Sequence, residues 1–352
     1  MIKTISNINF AGKSVVIRYD YNVPVVNGMI SDKEDDKIEF SLDTVKKVID
    51  GGAKFIMLVS HLGRPEGKFD EKFSLNPVKW RLENYLKEKI ILIERLEDIK
   101  KFKDDPFVKV VLLENIRFWK EEEAGDEVFA HNIASNFDVY VNNAFSVSHR
   151  DHASMTKFPK FCAEKCGGDL LIKELESLTK ARKNPLKPAV AIIGGSKIKT
   201  KLPVIENLAK EYDFVLVGGK TANEALDENL NFPENVILPV DFAPVEEAEA
   251  RLDIGEETRK IFIDKINQAK TIVWNGPLGM FEDDKYAIGT IEIAKAIANN
   301  KEAFKIVGGG ETIAAVNYFV NVDDFDYASM SGGAMLDFLA EKELPGLKAL
   351  ED

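Results

Sequence analysis

The feature that most constrains this chain is an alternation. Short runs of β-branched and aromatic residues recur along its whole length, each separated from the next by a longer stretch of helical period. Strands that alternate with helices belong to βαβ units, whose crossovers demand parallel pairing and cover both faces of a sheet. In the first half the predicted strands are SVVIRY from Ser14, KFIMLVS from Lys54, IILI from Ile90, KVVLLE from Lys109 and DVYVN from Asp138; SLDTVKKVI, NPVKWRLENYLK and DEVFAHNIASNF are among the helices. The second half repeats the scheme with PAVAIIGG, FVLVGG, NVILPV, TIVWNG, FKIVGGG and YASMSGG. Between the halves lies GGDLLIKELESLTKARKNPLKP, with Leu171, Leu175 and Leu178 at helical spacing and an Asn-Pro pair at its end. It reads as an amphipathic connecting helix near residues 168–187. The expected fold class is α/β, two doubly wound parallel-sheet domains, which suits 352 residues at roughly 150 per domain.

Composition narrows the function classes. With 45% apolar and 30% charged residues, and 22 Phe, the chain can bury substantial cores, which excludes disorder, collagen and a disulfide-stapled miniprotein. No charged-then-apolar leader opens it and no apolar run nears the ~20 residues that cross a bilayer, so a cytoplasmic location is expected. A formal net charge of -12 makes the surface as a whole repel nucleic acid and anionic membrane. Any phosphate site must be a local concentration of positive charge. The only cysteines, Cys162 and Cys166, stand in CAEKC, where i,i+4 spacing would place both thiols on one helical face. With His149 and His152 upstream the letters offer an H-x2-H…C-x3-C zinc pattern, but the intervening residues are no short turn-rich knuckle, and two reduced thiols are the preferred reading.

In open parallel sheets ligands bind beyond the carboxyl ends of the strands, and the two halves differ there. First-half strands end in Arg18, Asp20 and Asn22; His61 and Arg64; Arg117; and His149, Arg150 and His152. Guanidinium forks suit phosphate and carboxylate oxygens, so this edge is expected to take a small polyanion. Second-half strands end in glycine: Gly194-Gly195, Gly218-Gly219, Gly276, Gly308 to Gly310 and Gly332-Gly333. Most lead into helices, whose opening N–H groups make phosphate cradles. Lys197 and Lys201, four apart, are expected on one helix face beside a cradle. GGKT at Gly218 to Thr221 has the tail of a Walker A loop, but Phe214 stands at its first glycine, and no G-x-G-x-x-G follows a strand. A small anion on one half and a nucleotide phosphate chain on the other is what phosphoryl transfer across a closing cleft requires.

RYDYNVP, SHLGRP, LLENIRF, SHRDHAS, GGSKIKTK, VWNGPLGMFE, GGGET and EKELPG resemble, in order, the signature segments of the phosphoglycerate kinases, over essentially the whole chain. The resemblance implies a hinge-bending enzyme of two Rossmann-like domains that moves a phosphoryl group between 1,3-bisphosphoglycerate and ADP, giving 3-phosphoglycerate and Mg-ATP in glycolysis, with no nucleic-acid or membrane partner and as a monomer. It implies a substrate domain over 1–167, the connecting helix over 168–187, a nucleotide domain over 188–335, and a segment over 336–352 returning to the first domain. It implies substrate binding by Asp20, Asn22, Lys37, His61, Arg64, Arg117, His149 and Arg150. It implies nucleotide binding by Lys197, Lys201, Asn275, Gly276, Glu282, Gly309, Gly310, Glu311 and Thr312, with Glu311 toward Mg2+. Lys201, Lys37, Arg64 and Arg150 are the expected catalytic group.

The sequence departs from the family pattern in several places. Lys37 stands for an arginine at the reacting carboxyl, Glu311 for an aspartate near the metal, Thr200 for an aspartate between the lysines, and Lys220 and Arg251 for glycines beside the base. These departures support an alternative, a family-like paralogue that binds an anion or nucleotide with little chemistry.

Overall fold

The computed structural model describes residues 2–31 and 35–351, and for 246–248 the backbone only. Two compact units divide the chain, Met1–Glu174 with Leu344–Asp352, and Leu175–Glu343.

The first unit is built on six parallel strands, β1 Ser14–Arg18, β2 Phe55–Val59, β3 Ile91–Ile93, β4 Val110–Leu113, β5 Val139–Asn142 and β6 Glu164–Gly167, in the order β3-β4-β2-β1-β5-β6. Every residue of β1, β2, β4 and β5 is buried, as expected of strands covered on both faces by crossover helices. β1 pairs with β2 on one side and β5 on the other, so the chain reverses its direction of winding beside it. A crevice for ligand opens at the carboxyl end of such a strand, and β1 delivers Arg18 and Asp20 there.

The second unit has β7 Ala189–Ile193, β8 Phe214–Val217, β9 Val236–Ile237, a two-residue antiparallel pair β10 Phe242–Ala243 and β11 Asp253–Ile254, then β12 Thr271–Asn275, β13 Phe304–Gly308 and β14 Tyr327–Ser329. Its main sheet runs β14-β13-β12-β7-β8-β9, all parallel, with the reversal at β7. Trp274, fully buried in β12, packs among Ile192, Leu216, Phe262 and Val307 at the centre of this core.

Three local expectations need correction. CAEKC is not helical: Cys166 lies in β6, paired with Val141, and Cys162 precedes the strand, its Sγ 3.6 Å from the carbonyl of Ala134. Parallel pairing to β5 outweighs an i,i+4 pattern of only two residues, and burial pushes both thiols up to about 12, which leaves them unreactive. Lys197 does not share a helix face with Lys201, because it sits at φ 69° ahead of the helix Ile198–Glu211. The segment grouping with the first unit starts at Leu344, later than residue 336. Gly332–Leu339 is a helix of the second unit, tied by Asn207 Nδ2 and Arg182 Nη1, which donate at 2.8 Å to the carbonyls of Leu339 and Phe338. The connecting helix, Asp169–Lys183, contains the boundary between units. Among the described residues no helix is long and apolar enough to cross a membrane.

Candidate active site

At the carboxyl edge of the first sheet the charged side chains fix one another. Asp20 Oδ2 accepts from Lys37 Nζ at 3.0 Å and from Ser146 Oγ at 2.5 Å, and Asp20 Oδ1 accepts from the backbone N–H of Asn22 at 3.0 Å. Burial alone would raise this carboxyl, but the charge of Lys37, with hydrogen bonds from Ser146 and Lys37, outweighs it, so Asp20 is held below the usual carboxylate range. Lys37 also donates to the carbonyl of Asn22 at 3.3 Å, on which side its ammonium bridges two acceptors as a point charge. Gly63, at φ 60°, links two further predicted residues: its N–H donates to Asn22 Oδ1 at 2.8 Å and its carbonyl accepts from Arg117 Nη1 at 2.7 Å. A side chain there would strike the ring of Phe73 at 2.3 Å, so the turn requires glycine.

Deeper in, Arg18 is completely buried and donates through Nε to Ser154 Oγ at 2.8 Å, with Nη2 at 4.0 Å from Glu122. Glu122, equally buried, accepts from the Ser154 backbone and hydroxyl at 2.8 and 2.6 Å. This pair satisfies its own polar atoms, as a buried ion pair must. The neighbouring arginines do not. Arg117 is 3% exposed, yet its buried Nη2 has no hydrogen-bond partner, and neither do the buried Nε of Arg150 and Nδ1 of His152. Burial, then the charges of Arg150 and Arg18, pull Arg117 down to about 10. Burial, then the charges of Arg117, Arg150 and Arg18, press His152 down to about 3, and burial keeps His61 well below the ordinary histidine range. Cations packed so that they repel one another and leave donors unmet are completed by an anion. Arg64, the residue after Gly63, is exposed and, among the described residues, without a hydrogen-bond or ion-pair partner.

Sequence reading missed Glu122, Ser146 and Ser154. Glu122 lies in a run of three glutamates that reads as a solvated face, and nothing in the letters places Ser146 against Asp20.

In the second unit the glycine ends of β7, β8, β12 and β13 interlock. Gly194 N–H donates to the carbonyl of Asn275 at 2.9 Å, Gly195 N–H to that of Pro277 at 2.6 Å, and Gly276 N–H to Thr312 Oγ1 at 2.7 Å. Gly276 sits at φ 95°, and a Cβ on it would lie 2.3 Å from the Gly194 carbonyl oxygen. Close approach of two backbones explains these glycines. Gly309, at φ 94°, opens the helix Gly310–Phe319, while Asn275 Nδ2 donates to the carbonyl of Gly308 at 2.8 Å. Nothing lies within 4 Å of the Cβ direction of Gly310, so the head of this helix is bare, and its opening N–H groups have no intrahelical acceptor.

Lys201, 6% exposed, folds its ammonium onto the Gly194 carbonyl. Burial lowers it to about 8, against the raising influence of Glu311. That influence places Glu311 near Lys201, and Glu311 itself is exposed. Lys197 is also exposed. A cavity of about 480 Å³ adjoins this cradle, lined by Gly195, Ser196, Gly219, Pro277, Glu282 and Glu311 and continuing to Lys220, Asn223, Asp227, Arg251, Leu252 and Met280. A volume in this range suits a small cofactor or nucleotide.

Comparison with known proteins agrees over the full length. The family model described as phosphoglycerate kinase matches residues 5–231 and 226–342. The curated phosphoglycerate kinases of Finegoldia magna and Chlorobium luteolum are 36% and 39% identical to this chain, each covering 99% of both partners. Among solved structures, phosphoglycerate kinase from Coxiella burnetii has a TM-score of 0.86 at 36% identity and covers 99% of both chains. The enzyme from Pyrococcus horikoshii gives 0.83 at 29% identity, covering 99% of this chain and 98% of its own. With a family model over nearly the whole sequence and end-to-end relatives well above 30% identity, the chain belongs to the phosphoglycerate kinase family.

Proposed function

We propose that the two carboxyl edges divide the substrates of a phosphoglycerate kinase between them. The reaction is reversible phosphoryl transfer between 1,3-bisphosphoglycerate and ADP. Asp20, Asn22, Lys37, His61, Arg64, Arg117, His149 and Arg150 hold the phosphoglycerate. Lys197, Lys201, Asn275, Gly276, Glu282, Gly309, Gly310, Glu311 and Thr312 hold the nucleotide. The observation that carries the first assignment is the set of buried donors on Arg117 and Arg150 that lack an acceptor. A phosphate or carboxylate supplies one.

In the ATP-consuming direction a carboxylate oxygen of 3-phosphoglycerate forms a bond to the γ-phosphorus as the bond to the ADP oxygen breaks, giving an acyl phosphate and ADP. The nucleophile is already ionised at neutral pH, so no general base is needed, and the neutral His61 and His152 are not asked for one. Catalysis rests on position and charge. Lys201 leaves the Gly194 carbonyl to follow the transferred group, Lys37, Arg64 and Arg150 neutralise the acceptor side, and the N–H groups at Gly310 hold the phosphate chain. An exposed Glu311 beside the cradle fits Mg2+ that arrives on the nucleotide: magnesium takes one or two protein carboxylates plus phosphate oxygens, and would supply charge neutralisation there. The reading takes the protein as a cytoplasmic monomer whose connecting helix serves as the hinge.

The test is a coupled assay with 3-phosphoglycerate and a magnesium nucleoside triphosphate, ATP and GTP in turn. Absence of turnover with both, in pure folded protein, sinks the assignment.

A further inference from the structure

Lys201 is parked behind the wall of the second unit's cavity. Gly195 and Glu311 line that cavity and Lys201 does not, although its Nζ lies 3.1 Å from where a Cβ on Gly195 would sit. To meet a phosphoryl group the ammonium must let go of the carbonyl of Gly194, a buried residue. A buried carbonyl stripped of a donor is costly, so that release would add to the barrier of the step in which the lysine acts.

The helix Gly219–Asp227 supplies a second donor at the same oxygen. Thr221, the last residue of GGKT, is fully buried on it and is no part of the cavity lining, so its hydroxyl does not face a phosphate as the letters suggest. It lies instead 3.2 Å from the Gly194 carbonyl oxygen and 3.2 Å from that of Gly195. Gly195 already accepts from the Thr221 backbone N–H at 2.9 Å. A hydroxyl has one proton to give. With Lys201 in place that proton is free for Gly195; with Lys201 gone it turns to Gly194, and both carbonyls keep a donor in either state.

We propose that Thr221 is a positioning residue for Lys201, taking over the Gly194 carbonyl whenever the lysine leaves it. The proposal rests on the reading above, in which Lys201 follows the transferred group. Valine at this position keeps the shape and removes the proton. Lys201 would then be the one side chain donating to Gly194 among the described residues, and its departure would bare the oxygen.

The test compares Thr221→Val and Thr221→Ser in the full chain, by the coupled assay with 3-phosphoglycerate and MgATP and by thermal unfolding with and without Lys201→Met. Thr221→Val is expected to lower kcat by about 5–150-fold, the rate equivalent of one bared buried carbonyl, with KM for MgATP unchanged because the hydroxyl touches no ligand. Thr221→Ser, which keeps the proton, should hold kcat near that of the unmodified chain. In the Lys201→Met background Thr221→Val leaves the carbonyl with neither donor, so the Tm it loses there should exceed its loss in the unmodified chain by about 2–4 °C. Equal losses of Tm in the two backgrounds, or an equal fall of kcat in the Val and Ser variants, overturn the proposal. Full turnover in Thr221→Val beside a disabled Lys201→Met overturns the proposal alone; full turnover in Lys201→Met overturns the reading of Lys201 as well.

Discussion

Replacing Lys201 by Met should stabilise the protein and disable it at once. In the folded chain burial lowers this ammonium from 10.5 to about 8, with Glu311 acting in the opposite sense. A shift of that size corresponds to about 3 kcal/mol of differential stability at 1.36 kcal/mol per unit. The sign follows from proton counts. Below pH 8 both states carry the proton, and the folded state bears the whole desolvation cost. Between about pH 8 and 10.5 the unfolded chain holds a proton that the folded chain has released, so stability rises with pH and the cost is relieved. Methionine keeps the length of the stem and removes the charge. It also gives up the hydrogen bond to the Gly194 carbonyl, worth about 1 kcal/mol, but that oxygen keeps the Thr221 hydroxyl at 3.2 Å. The net expectation at pH 7 is a gain of about 2 kcal/mol, or about 4–8 °C in Tm for a unit of this size, vanishing near pH 10. Turnover in the coupled assay should fall ~10²–10³-fold, the cost of one transition-state charge contact. Thermal unfolding of both proteins at pH 7 and pH 10 decides the matter. An unchanged or lower Tm at pH 7, or a gain that persists at pH 10, refutes burial as the cause.

Arg117→Ala should weaken 3-phosphoglycerate binding by at least tenfold while leaving nucleotide binding unchanged, because it removes buried donors without an acceptor from the proposed anion site; separate titrations of the two substrates check it. Gly309→Ala should destabilise by about 1–3 kcal/mol, since φ 94° suits only glycine, whereas Gly310→Ala, with open space at its Cβ, should leave the denaturation midpoint within experimental error. Lys37→Arg should hold or raise kcat if this lysine does the work of a forked cation; a clear loss would mean that the contacts to Asp20 and the Asn22 carbonyl are built around an ammonium.

The sheets were legible because parallel strands buried on both faces are continuous apolar runs, and the runs at Ser14, Lys54, Ala189 and Thr271 have no other good fate. Their spatial order was not, since neighbours such as β1 and β5 lie more than a hundred residues apart and register depends on packing that no local pattern records. β6 escaped for a related reason: EKCG has no strand-like composition and is recruited by its neighbour β5. At the site, charge at strand ends identified Arg117, Arg150 and Lys201 as candidates. Their chemical condition came only from the fold. Donors without acceptors, a lysine near neutrality and a histidine pressed to about 3 all follow from what surrounds them.

The short segment from Leu344, which groups with the first unit, bears on how that unit folds. Gly346 donates its N–H to the Ser148 carbonyl at 2.8 Å and accepts from Asn142 Nδ2 at 3.3 Å, so the segment from Leu344 buttresses the stretch that bears His149 and Arg150. An added Cβ on Gly346 would lie 3.0 Å from Ser148 and from Met155, which shows how closely that buttress fits. The edge that bears the arginines is thus braced by a partner 204 positions away in sequence, so it is set only once that long loop has closed, later than any contact within β1 to β5.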